Sequence, residues 1–422
     1  MIKPYFSVVI GKGFGDEGKG MAVDYLASHY KKALVVRHNG GAQSGHTVEL
    51  PDKRFVFHEL SSGSFRGADT FWADTYYPDM YKLKEEIDAF KAVNGGDWSP
   101  VVYVDVNAQV TTIDDVLLNM AAETMRGEGR HGSCGMGIYE AFCRGEAGYG
   151  LTIGELRGLD FSSLVARLER IREEYVPRRM KELGLDIRLS ENPEFLEYME
   201  MLEDRAVLEN VASVMLDNVR YVQPVENVKE LFYRYEGVIF ESGQGLLLDT
   251  DNEEYSPHVT ASKTGLCNPC RILGDMGCVP DEVVYVTRTY VTRHGAGALP
   301  NECDKSELGI VETDITNIHN PWQGSIRYAR HSKIEEFAKD IKVDMENLNG
   351  DASVKCMLMI THLDESKGMI LSEDEDVRVE EFCEKLSSPF DGYYLSWSRY
   401  GDVKAVYCPN KKNDFSLTVL YN

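Results

Sequence analysis

The sequence predicts an α/β fold with a mostly parallel central sheet and helices on both of its faces. Short apolar runs typical of buried strands alternate with segments of helical period along the chain. Most of these runs end in a glycine-rich or polar segment. Because the carboxyl ends of parallel strands meet at one edge of a sheet, we expect these segments to form one ligand crevice.

The first apolar run, Phe6–Ile10, leads into residues 11–20, GKGFGDEGKG, and then into a helix-like segment. The glycines and Lys19 match the spacing of a Walker-type phosphate loop, except that Gly20 stands where Ser or Thr normally holds Mg²⁺. Asp16 and Glu17 would repel a triphosphate unless a metal or a catalytic task required one of them. The loop predicts a P-loop-like nucleotide site with chemistry beyond hydrolysis; a purely structural glycine turn is the alternative.

The remaining elements follow in order. A second strand, Ala33–Val36, also runs into a glycine-rich loop, and a charged segment of helical period at 161–218 is interrupted by Pro177 and Pro193. With no repeat or linker, we expect a single domain over 1–422 with a helical insertion at about 161–218. Further strands are predicted at 55–58, 101–104, 237–240, 282–286 and 355–360, and helices near 78–92 and 112–125.

The amino-acid composition limits the partners and the cellular compartment that we expect for this protein. The 422 residues are 43% hydrophobic and carry a net charge of −24, which argues against nucleic acid or an anionic membrane as partner. No run approaches the roughly 18 apolar residues of a membrane span. Nine scattered cysteines favour reduced thiols, so we expect a cytoplasmic protein, in the host cytoplasm if viral. Cys267 and Cys270, with Cys278 nearby, lack the second ligand pair of a zinc site.

Five motifs in a fixed order resemble the adenylosuccinate synthetase family, and the resemblance runs from residue 6 to about 300. It implies a ligase that joins L-aspartate to C6 of a 6-oxopurine nucleotide through a 6-phosphoryl intermediate, driven by GTP or another nucleoside triphosphate. It also implies Mg²⁺ as cofactor, small-molecule substrates and a homodimer. The motifs are GDEGKG at 15–20, GGAQSGHT at 40–47, QGLLLD at 244–249, YSPHVT at 255–260 and TRHGAG at 292–297.

The resemblance implies catalytic roles for Asp16, His46 and Lys19. Asp16 would remove the N1 proton, His46 would act as the acid beside O6, and Lys19 would neutralise the transferred phosphoryl group. Asp16 and the Gly45 carbonyl would be the metal ligands, filling the place that Gly20 leaves empty. The structural alternatives are an Asx-type turn at Asp16 and a satisfied loop histidine at His46.

The resemblance also implies the contacts of the nucleoside triphosphate. Asp364 suits the N1–H and 2-amino donors of guanine, which favours GTP, although His362 replaces the lysine that is usual in the family. The NTP-binding residues are predicted to be Gly15, Glu17, Gly18, Lys19, Gly20, Gly45, His46, Thr47, Thr361, His362 and Asp364.

A second set of contacts is implied for the purine monophosphate. Cys134 stands where the family usually has threonine and Gln43 where it has asparagine. Arg144 resembles an arginine that reaches the substrate phosphate from a second subunit, which implies the homodimer. The set comprises Asp16, Gln43, Ser133, Cys134, Arg144, Gln244 and Thr260.

The aspartate-binding region departs from the family pattern. Residues 316–328 replace its threonine-glycine-arginine cluster, and only Arg327 there can pair bidentately with a carboxylate. The lost arginines also touch the ribose in the family, so their loss would relax the demand for a 2′-hydroxyl. Gln323, Gly324, Ser325 and Arg327 are the predicted aspartate-binding residues.

This region, and the Thr-Gly-Leu-x-Asn after Thr260, are similar to phage-type relatives that act on dGMP, although those often lack the loop aspartate. The expected reaction converts dGMP to 2-amino-2′-deoxy-N6-succinyladenylate. Conversion of IMP to adenylosuccinate is the alternative, because no residue clearly reads the purine 2-position. A nucleotide-binding regulator that has lost ligation is the alternative of another class.

Overall fold

A computed structural model describes residues 3–311, 324–351, 353–386, 388–407 and 418–419. The strands, whose bounds are needed to place the site, are β1 (Tyr5–Gly11), β2 (Ala33–Arg37), β3 (His46–Leu50), β4 (Lys53–Phe57), β5 (Asp69–Trp72), β6 (Val102–Asp105), β7 (Val222–Val225), β8 (Gly237–Gly245), β9 (Glu282–Arg288), β10 (Val291–Arg293), β11 (Glu302–Cys303), β12 (Arg327–Ala329), β13 (Lys355–Thr361), β14 (Met369–Leu371), β15 (Asp376–Arg378), β16 (Gly392–Ser396), β17 (Val403–Tyr407) and β18 (Thr418–Val419).

The α-helices of the described residues lie between these strands. They are α1 (Lys19–Ala27), α2 (Leu83–Asn94), α3 (Ile113–Arg126), α4 (Ile138–Arg144), α5 (Ile153–Gly158), α6 (Phe161–Glu174), α7 (Val176–Leu183), α8 (Pro193–Glu203), α9 (Arg205–Asn218), α10 (Val228–Phe232), α11 (Cys267–Gly274), α12 (Lys339–Asp344) and α13 (Val379–Lys385).

One large sheet dominates the fold, with the strand order β18-β17-β16-β13-β9-β1-β8-β2-β5-β6-β7. From β16 to β7 every neighbouring pair is parallel, and β17 and β18 add an antiparallel edge. Parallel pairing needs helical crossovers, which cover both faces of the sheet. The predicted α/β class with a mostly parallel sheet is confirmed.

Strand β1 lies in the middle of this sheet and is buried on both faces. Phe6, Val8 and Ile10 pack into a core cluster shared with α10 and α11, and Val9 packs on the opposite face against Val23 of α1. Side chains alternate across a strand, so a continuous apolar run fills both cores at once. Because β1 is central, the loop that follows it lies at the middle of the carboxyl edge of the sheet.

The run at 55–58 was expected in the parallel sheet, and this prediction is wrong. It forms β4 of a separate antiparallel hairpin with β3, in which Leu50 pairs with Lys53 across a two-residue turn. Pro51 and Asp52 form that turn, and the two strands are adjacent in sequence, so local pairing closes more easily than a crossover. Phe57 packs against Phe90 of α2 and is fully buried.

The segment 161–218 is helical, as predicted, and forms α6 to α9. Pro177 and Pro193 lie in the first turns of α7 and α8, where a missing N–H costs no hydrogen bond. Asn192 caps α8 through a 2.9 Å bond from the Glu194 amide to its Oδ1. No helix in the described part of the chain is long and apolar enough to span a bilayer.

The Asp344 carboxylate holds the start of α11 in place by hydrogen bonds. Its Oδ1 accepts the Leu266 amide at 2.9 Å and its Oδ2 accepts the Tyr285 hydroxyl at 2.8 Å. Burial outweighs these hydrogen bonds and raises the pKa of Asp344 from 3.8 to about 6. The carboxyl group is therefore protonated more readily in the folded protein than in the unfolded chain.

A raised folded-state pKa gives stability that is present below about pH 4 and lost as the pH rises through about 6. We expect Asp344 to cost roughly 3 kcal/mol of folding free energy between these limits, at about 1.4 kcal/mol per pKa unit. Asp344→Asn should remove this component from the pH dependence measured by urea unfolding. An unchanged dependence in the variant would contradict the assignment to Asp344.

Candidate functional site

A cleft of about 300 Å³ lies at the carboxyl ends of β1, β2, β8, β9, β13 and β16. This is the edge at which the sequence places its polar and glycine-rich loops. The predicted site residues that line the cleft are Gly15, Asp16, Gly18, Lys19, Gly20, Gln43, Gly45, His46, Thr47, Cys134, Gln244, His362 and Asp364.

Glu17 faces away from the cleft. Its carboxylate accepts hydrogen bonds from the Gly13 amide (3.0 Å), the Gly15 amide (2.8 Å) and Lys19 Nζ (2.8 Å), and only 4% of the residue is exposed. Burial would raise the pKa of Glu17, but Lys19 and the amides outweigh it and hold the carboxyl ionised. In this conformation the Glu17 side chain stabilises the loop from its interior, and the predicted contact of Glu17 with the triphosphate stays a prediction.

The same packing explains Gly11. A Cβ atom at this position would lie 2.2 Å from the Glu17 carboxylate, far inside van der Waals contact. Gly245, at the end of β8, meets a similar restriction, because its Cβ would lie 2.1 Å from the Gly13 carbonyl oxygen. The glycines of this region therefore allow the loop, its buried carboxylate and the neighbouring strand to approach closely.

Asp16, in contrast, is open to the cleft. Its backbone is left-handed (φ 63°), its carbonyl accepts Arg288 Nε at 2.6 Å, and about a quarter of its side chain is exposed. His294 Nε2 lies 3.6 Å from the carboxylate. The two loop carboxylates thus differ in environment: Asp16 is available to a ligand, and Glu17 is structural.

His46 begins β3 and is held by Glu241 of β8. Its Nδ1 lies 2.6 Å from Glu241 Oε1, and its Nε2 lies 3.3 Å from the Gly243 carbonyl. Burial opposes the charge on Glu241, but His46, Arg37 and Ser62 outweigh it and lower its pKa to about 2. Burial also lowers the pKa of His46, against the opposing effect of Glu241. Both ring nitrogens face oxygen atoms, Glu241 Oε1 and the Gly243 carbonyl oxygen.

Gln43 and Gln244 meet at the end of the cleft with unused hydrogen-bonding capacity. Gln244 Oε1 accepts Asn39 Nδ2 at 2.9 Å, whereas Gln244 Nε2 and Gln43 Oε1 are buried without a partner among the described residues. Each such atom costs about 1–3 kcal/mol when buried unpaired. A polar ligand in the cleft would supply the missing partners, as both predicted roles require.

The end of β13 joins the phosphate loop from the other side. The Thr361 hydroxyl is buried and donates to the Glu17 carbonyl at 2.7 Å, and its methyl group would contact a Cβ on Gly18 at 3.1 Å. Thr361 therefore positions the loop and does not line the cleft in this conformation, and its predicted contact with the triphosphate stays a prediction. His362 and Asp364, immediately after it, do line the cleft.

Gly20 leaves no room for the hydroxyl residue of a Walker loop. A Cβ there would lie 2.7 Å from the Thr47 carbonyl oxygen and 3.3 Å from His46 Cβ. The hairpin that carries His46 packs directly on the start of α1 at this point. Glycine is therefore required by the approach of β3.

We expect Gly20→Ser to destabilise the protein by roughly 1–3 kcal/mol, because the added atoms overpack this contact. Gly158→Ala is the matched control, since its Cβ would meet no atom within 4 Å. Urea unfolding of both variants measures the difference. Wild-type stability in Gly20→Ser would show that the contact relaxes freely.

Arg144 does not reach outward. The residue is fully buried, its Nε lies 3.0 Å from Asp115 Oδ1, and its terminal nitrogens donate to the carbonyls of Tyr149 (2.8 Å) and Val110 (2.7 Å). In this conformation Arg144 donates to partners within its own chain, and its predicted contact with a substrate phosphate in a second subunit stays a prediction. A sequence motif does not show whether an arginine is exposed or is buried with its nitrogen atoms hydrogen-bonded.

Other predicted contacts lie outside the cleft. Ser133 Oγ is engaged by Asn119 Nδ2 at 2.9 Å, and the Thr260 amide donates to the Leu248 carbonyl at 2.8 Å. Neither residue lines the cleft, although Cys134 does.

The structure does not place the predicted aspartate-binding residues in the cleft. Arg327 Nε donates to Glu302 at 2.8 Å, and its Nη1 donates to the Gly297 carbonyl at 2.8 Å. Pairing with a substrate carboxylate would require this ion pair to open. Gly324 and Ser325 also do not line the cleft, and Gln323 lies outside the described residues.

Sequence reasoning missed several residues of the site. The polar stretches after β8 and β9 were noted, but no role was assigned to Glu241, Arg288 or His294. Ser398 and Arg399 follow β16, a strand that was not predicted, and they also line the cleft. Arg288, Ser398 and Arg399 share one signal, a polar side chain at the carboxyl end of a parallel strand. Glu241 lies within β8, and His294 follows the antiparallel strand β10.

The donor set at Asp16 and Gly45 fits a magnesium ion. Both residues line the cleft beside Lys19, and a carboxylate with a carbonyl oxygen suits Mg²⁺, which takes one or two protein oxygens plus substrate phosphates and water. The described residues contain no cluster of three or more His, Cys, Asp or Glu that could hold a metal alone. A bound phosphate would therefore have to complete the coordination.

Together, the sheet and its edge cleft define an α/β nucleotide-binding protein with a variant phosphate loop. The chain matches the adenylosuccinate synthetase family model over residues 8–319. It belongs to the adenylosuccinate synthetase family.

Comparisons with individual proteins agree with this family. The chain is 31% identical to an adenylosuccinate synthetase from Thermoplasma volcanium over 302 residues, covering 70% of this chain and 63% of the relative. It is 29% identical to the enzyme from Chlorobium chlorochromatii over 306 residues, covering 71% and 65%. The match thus spans less than two thirds of these curated relatives' length.

Two solved structures share the fold. A fully ligated adenylosuccinate synthetase from Plasmodium falciparum superposes with a TM-score of 0.63 at 19% identity, covering 90% of this chain and 85% of that one. The succinoaminodeoxyadenylate synthetase of cyanophage S-2L, bound to dGMP and dATP, superposes with a TM-score of 0.57 at 15% identity, covering 95% of each chain.

Proposed function

We propose that this protein is a carbon–nitrogen ligase that joins L-aspartate to C6 of a purine nucleoside monophosphate while a nucleoside triphosphate is cleaved. The observation that carries this proposal is the meeting of Asp16, His46 and Lys19 in one cleft. A protein that only binds nucleotide needs the lysine and the glycine loop, but neither an open carboxylate nor a histidine held by a buried carboxylate.

The chemistry requires O6 of the purine to become a leaving group. Asp16, partly exposed and 3.6 Å from His294 Nε2, accepts the N1 proton, and the oxygen then takes the terminal phosphoryl group of the triphosphate. His46 stabilises charge on O6 by proton donation, and the ionised Glu241 supports its charged form against the effect of burial. The amine of aspartate then displaces phosphate from C6.

Lys19 begins α1 and lines the cleft, with its Nζ 2.8 Å from Glu17 Oε2, and its ammonium group supplies positive charge beside the transferred phosphoryl group. Asp16 and Gly45 would hold Mg²⁺, which supplies charge neutralisation at the phosphates when bound. GTP is the proposed donor because Asp364 lines the cleft and offers a carboxylate to the N1–H and 2-amino groups of guanine.

We further propose dGMP as the monophosphate and 2-amino-2′-deoxy-N6-succinyladenylate as the product. Two features support this choice: the missing arginine cluster in residues 316–328, and the shared fold with a phage synthetase that was solved with dGMP. Arg327, the one arginine of that stretch, donates to Glu302 and does not line the cleft. The homodimer rests on the family resemblance alone, since Arg144 is held within its own chain.

The test is a paired incubation of the purified protein with L-aspartate, GTP, Mg²⁺ and either dGMP or IMP, read by mass spectrometry for the succinylated nucleotide. We expect product from dGMP, with phosphate release that requires aspartate. Product from IMP alone would replace dGMP with the adenylosuccinate reaction. Equal phosphate release without aspartate, and no succinylated product from either substrate, would overturn the ligase and favour a nucleotide-binding regulator.

A further inference from the structure

A pair of cysteines lies in the first turn of α11, outside the catalytic cleft. Cys267 opens the helix and is exposed, and Cys270, one turn later, is partly buried. Residues i and i+3 of a helix share one face, with Cβ atoms about 5–6 Å apart. Pro269 between them lacks an N–H, but a group in the first turn has no helical partner to lose. A modest adjustment of this turn would bring the two sulfur atoms within bonding distance.

The two thiols differ in their exposure to solvent, as a reactive pair requires. Cys267 is exposed at the start of the helix, where a reagent in solution can reach its sulfur. Burial, followed by the nearby Asp344 carboxylate, raises the pKa of Cys270 to about 11. A reagent in solution therefore reaches the outer cysteine first, and the inner cysteine is less accessible.

We propose that Cys267 and Cys270 form a thiol–disulfide exchange site for small disulfide molecules. The Cys267 thiolate attacks one sulfur of the small disulfide, forms a mixed disulfide and releases one thiol. Cys270 then gives up its proton, attacks the Cys267 sulfur and releases the second thiol. The protein loses two electrons and two protons, and the small disulfide is reduced to two thiols, so the exchange balances.

This site is connected to the substrate end of the cleft by hydrogen bonds. Asn268, between the two cysteines, donates from Nδ2 to the His38 carbonyl at 2.9 Å. The next residue, Asn39, donates to Gln244 Oε1 at 2.9 Å and accepts the Gly243 amide at 2.8 Å. Tightening the first turn of α11 would therefore disturb Asn268, the backbone that carries Asn39, and the position of Gln244.

A structural metal is a poorer explanation of the pair. Within the described residues, no group of three or more His, Cys, Asp or Glu is arranged to hold a metal ion. Cys278 is close in sequence, but its sulfur lies 3.9 Å from the Tyr233 hydroxyl and it follows the end of the helix. Exchange chemistry needs only the two thiols that the first turn supplies.

The test incubates the reduced full-length protein with oxidised glutathione and maps cysteine adducts by peptide mass spectrometry. We expect a Cys267–Cys270 disulfide in the wild type, a stable glutathione adduct on Cys267 in Cys270→Ser, and neither product in Cys267→Ser. Cys278→Ser is the matched control and should behave like the wild type. A persistent Cys267 adduct in the wild type, or a disulfide to Cys278, would overturn the proposed pair.

The connection to the cleft is tested by hydrogen exchange of the peptide covering residues 38–45, which needs no assumption about ligation. We expect oxidation to speed exchange there in the wild type and to leave it unchanged in Cys267→Ser. Equal exchange rates in the oxidised and reduced wild type would show that the disulfide forms without reaching the cleft. Both experiments remain interpretable if neither dGMP nor IMP is a substrate.

Discussion

Asp16→Asn is expected to lower the rate of ligation by about 10²–10⁴-fold, the usual contribution of a positioned general base. The amide has the same shape but cannot accept the N1 proton. Asparagine also tolerates the left-handed backbone at this position (φ 63°), whereas alanine would add strain. The loop should therefore keep its structure, and the loss should fall on the chemical step.

The measurement is single-turnover formation of the succinylated nucleotide, with GTP affinity measured in parallel by titration calorimetry. Asp97→Asn is the matched control, because Asp97 is exposed and lies away from the cleft. GTP affinity should remain within a few-fold of wild type in both variants. If Asp16→Asn abolished GTP binding as well, the loss would fall on the loop structure or on the proposed Mg²⁺ ligand, and the assignment of the loss to the chemical step would be contradicted.

Glu17→Ala is expected to destabilise the protein by about 3–5 kcal/mol, the typical cost of leaving one partner of a buried ion pair uncompensated. The variant would leave the ammonium group of Lys19, whose side chain is only 3% exposed, without its carboxylate partner. It would also remove the acceptor of the Gly13 and Gly15 amides. Chemical denaturation monitored by far-UV circular dichroism measures the loss.

A double variant separates the two contributions. Glu17→Ala with Lys19→Met removes both charges, so we expect it to be more stable than Glu17→Ala alone, although the loop amides still lack their acceptor. If the double variant were the less stable of the two, the ion pair would not be the source of the loss. Wild-type stability in Glu17→Ala would show that water readily replaces the carboxylate.

The contrast between the two loop carboxylates shows where sequence reasoning stops. The pattern GDEGKG places Asp16 and Glu17 side by side and gives no reason to separate their roles. The structure separates them because the loop turns through a left-handed residue at Asp16, which sends one carboxylate outward and the next one inward. Neighbouring residues in a tight turn can therefore face opposite environments.

Packing between distant segments also decides whether the side chains of Thr361, Arg144 and Glu241 face the cleft or the interior of the protein. Each is a polar residue in or beside a motif, and each finds its partner far along the chain: Thr361 at Glu17, Glu241 at His46, and Arg144 at Asp115. Burial and partners of this kind depend on which elements meet in space. A motif states which residue types are present, but not which hydrogen bonds they use.

The sequence by itself determined the α/β class, the phosphate loop, the helical character of residues 161–218 and many of the residues that line the cleft. These features follow from local causes: apolar runs that fit buried strands, helical periodicity, proline at helix starts, and glycine where the backbone must turn. Only the tertiary structure decided that 55–58 forms a hairpin, that Gly20 is required by the approach of β3, and that Glu17 and Arg144 face inward. Those outcomes depend on contacts between distant segments, and such contacts exist only once the sheet has assembled.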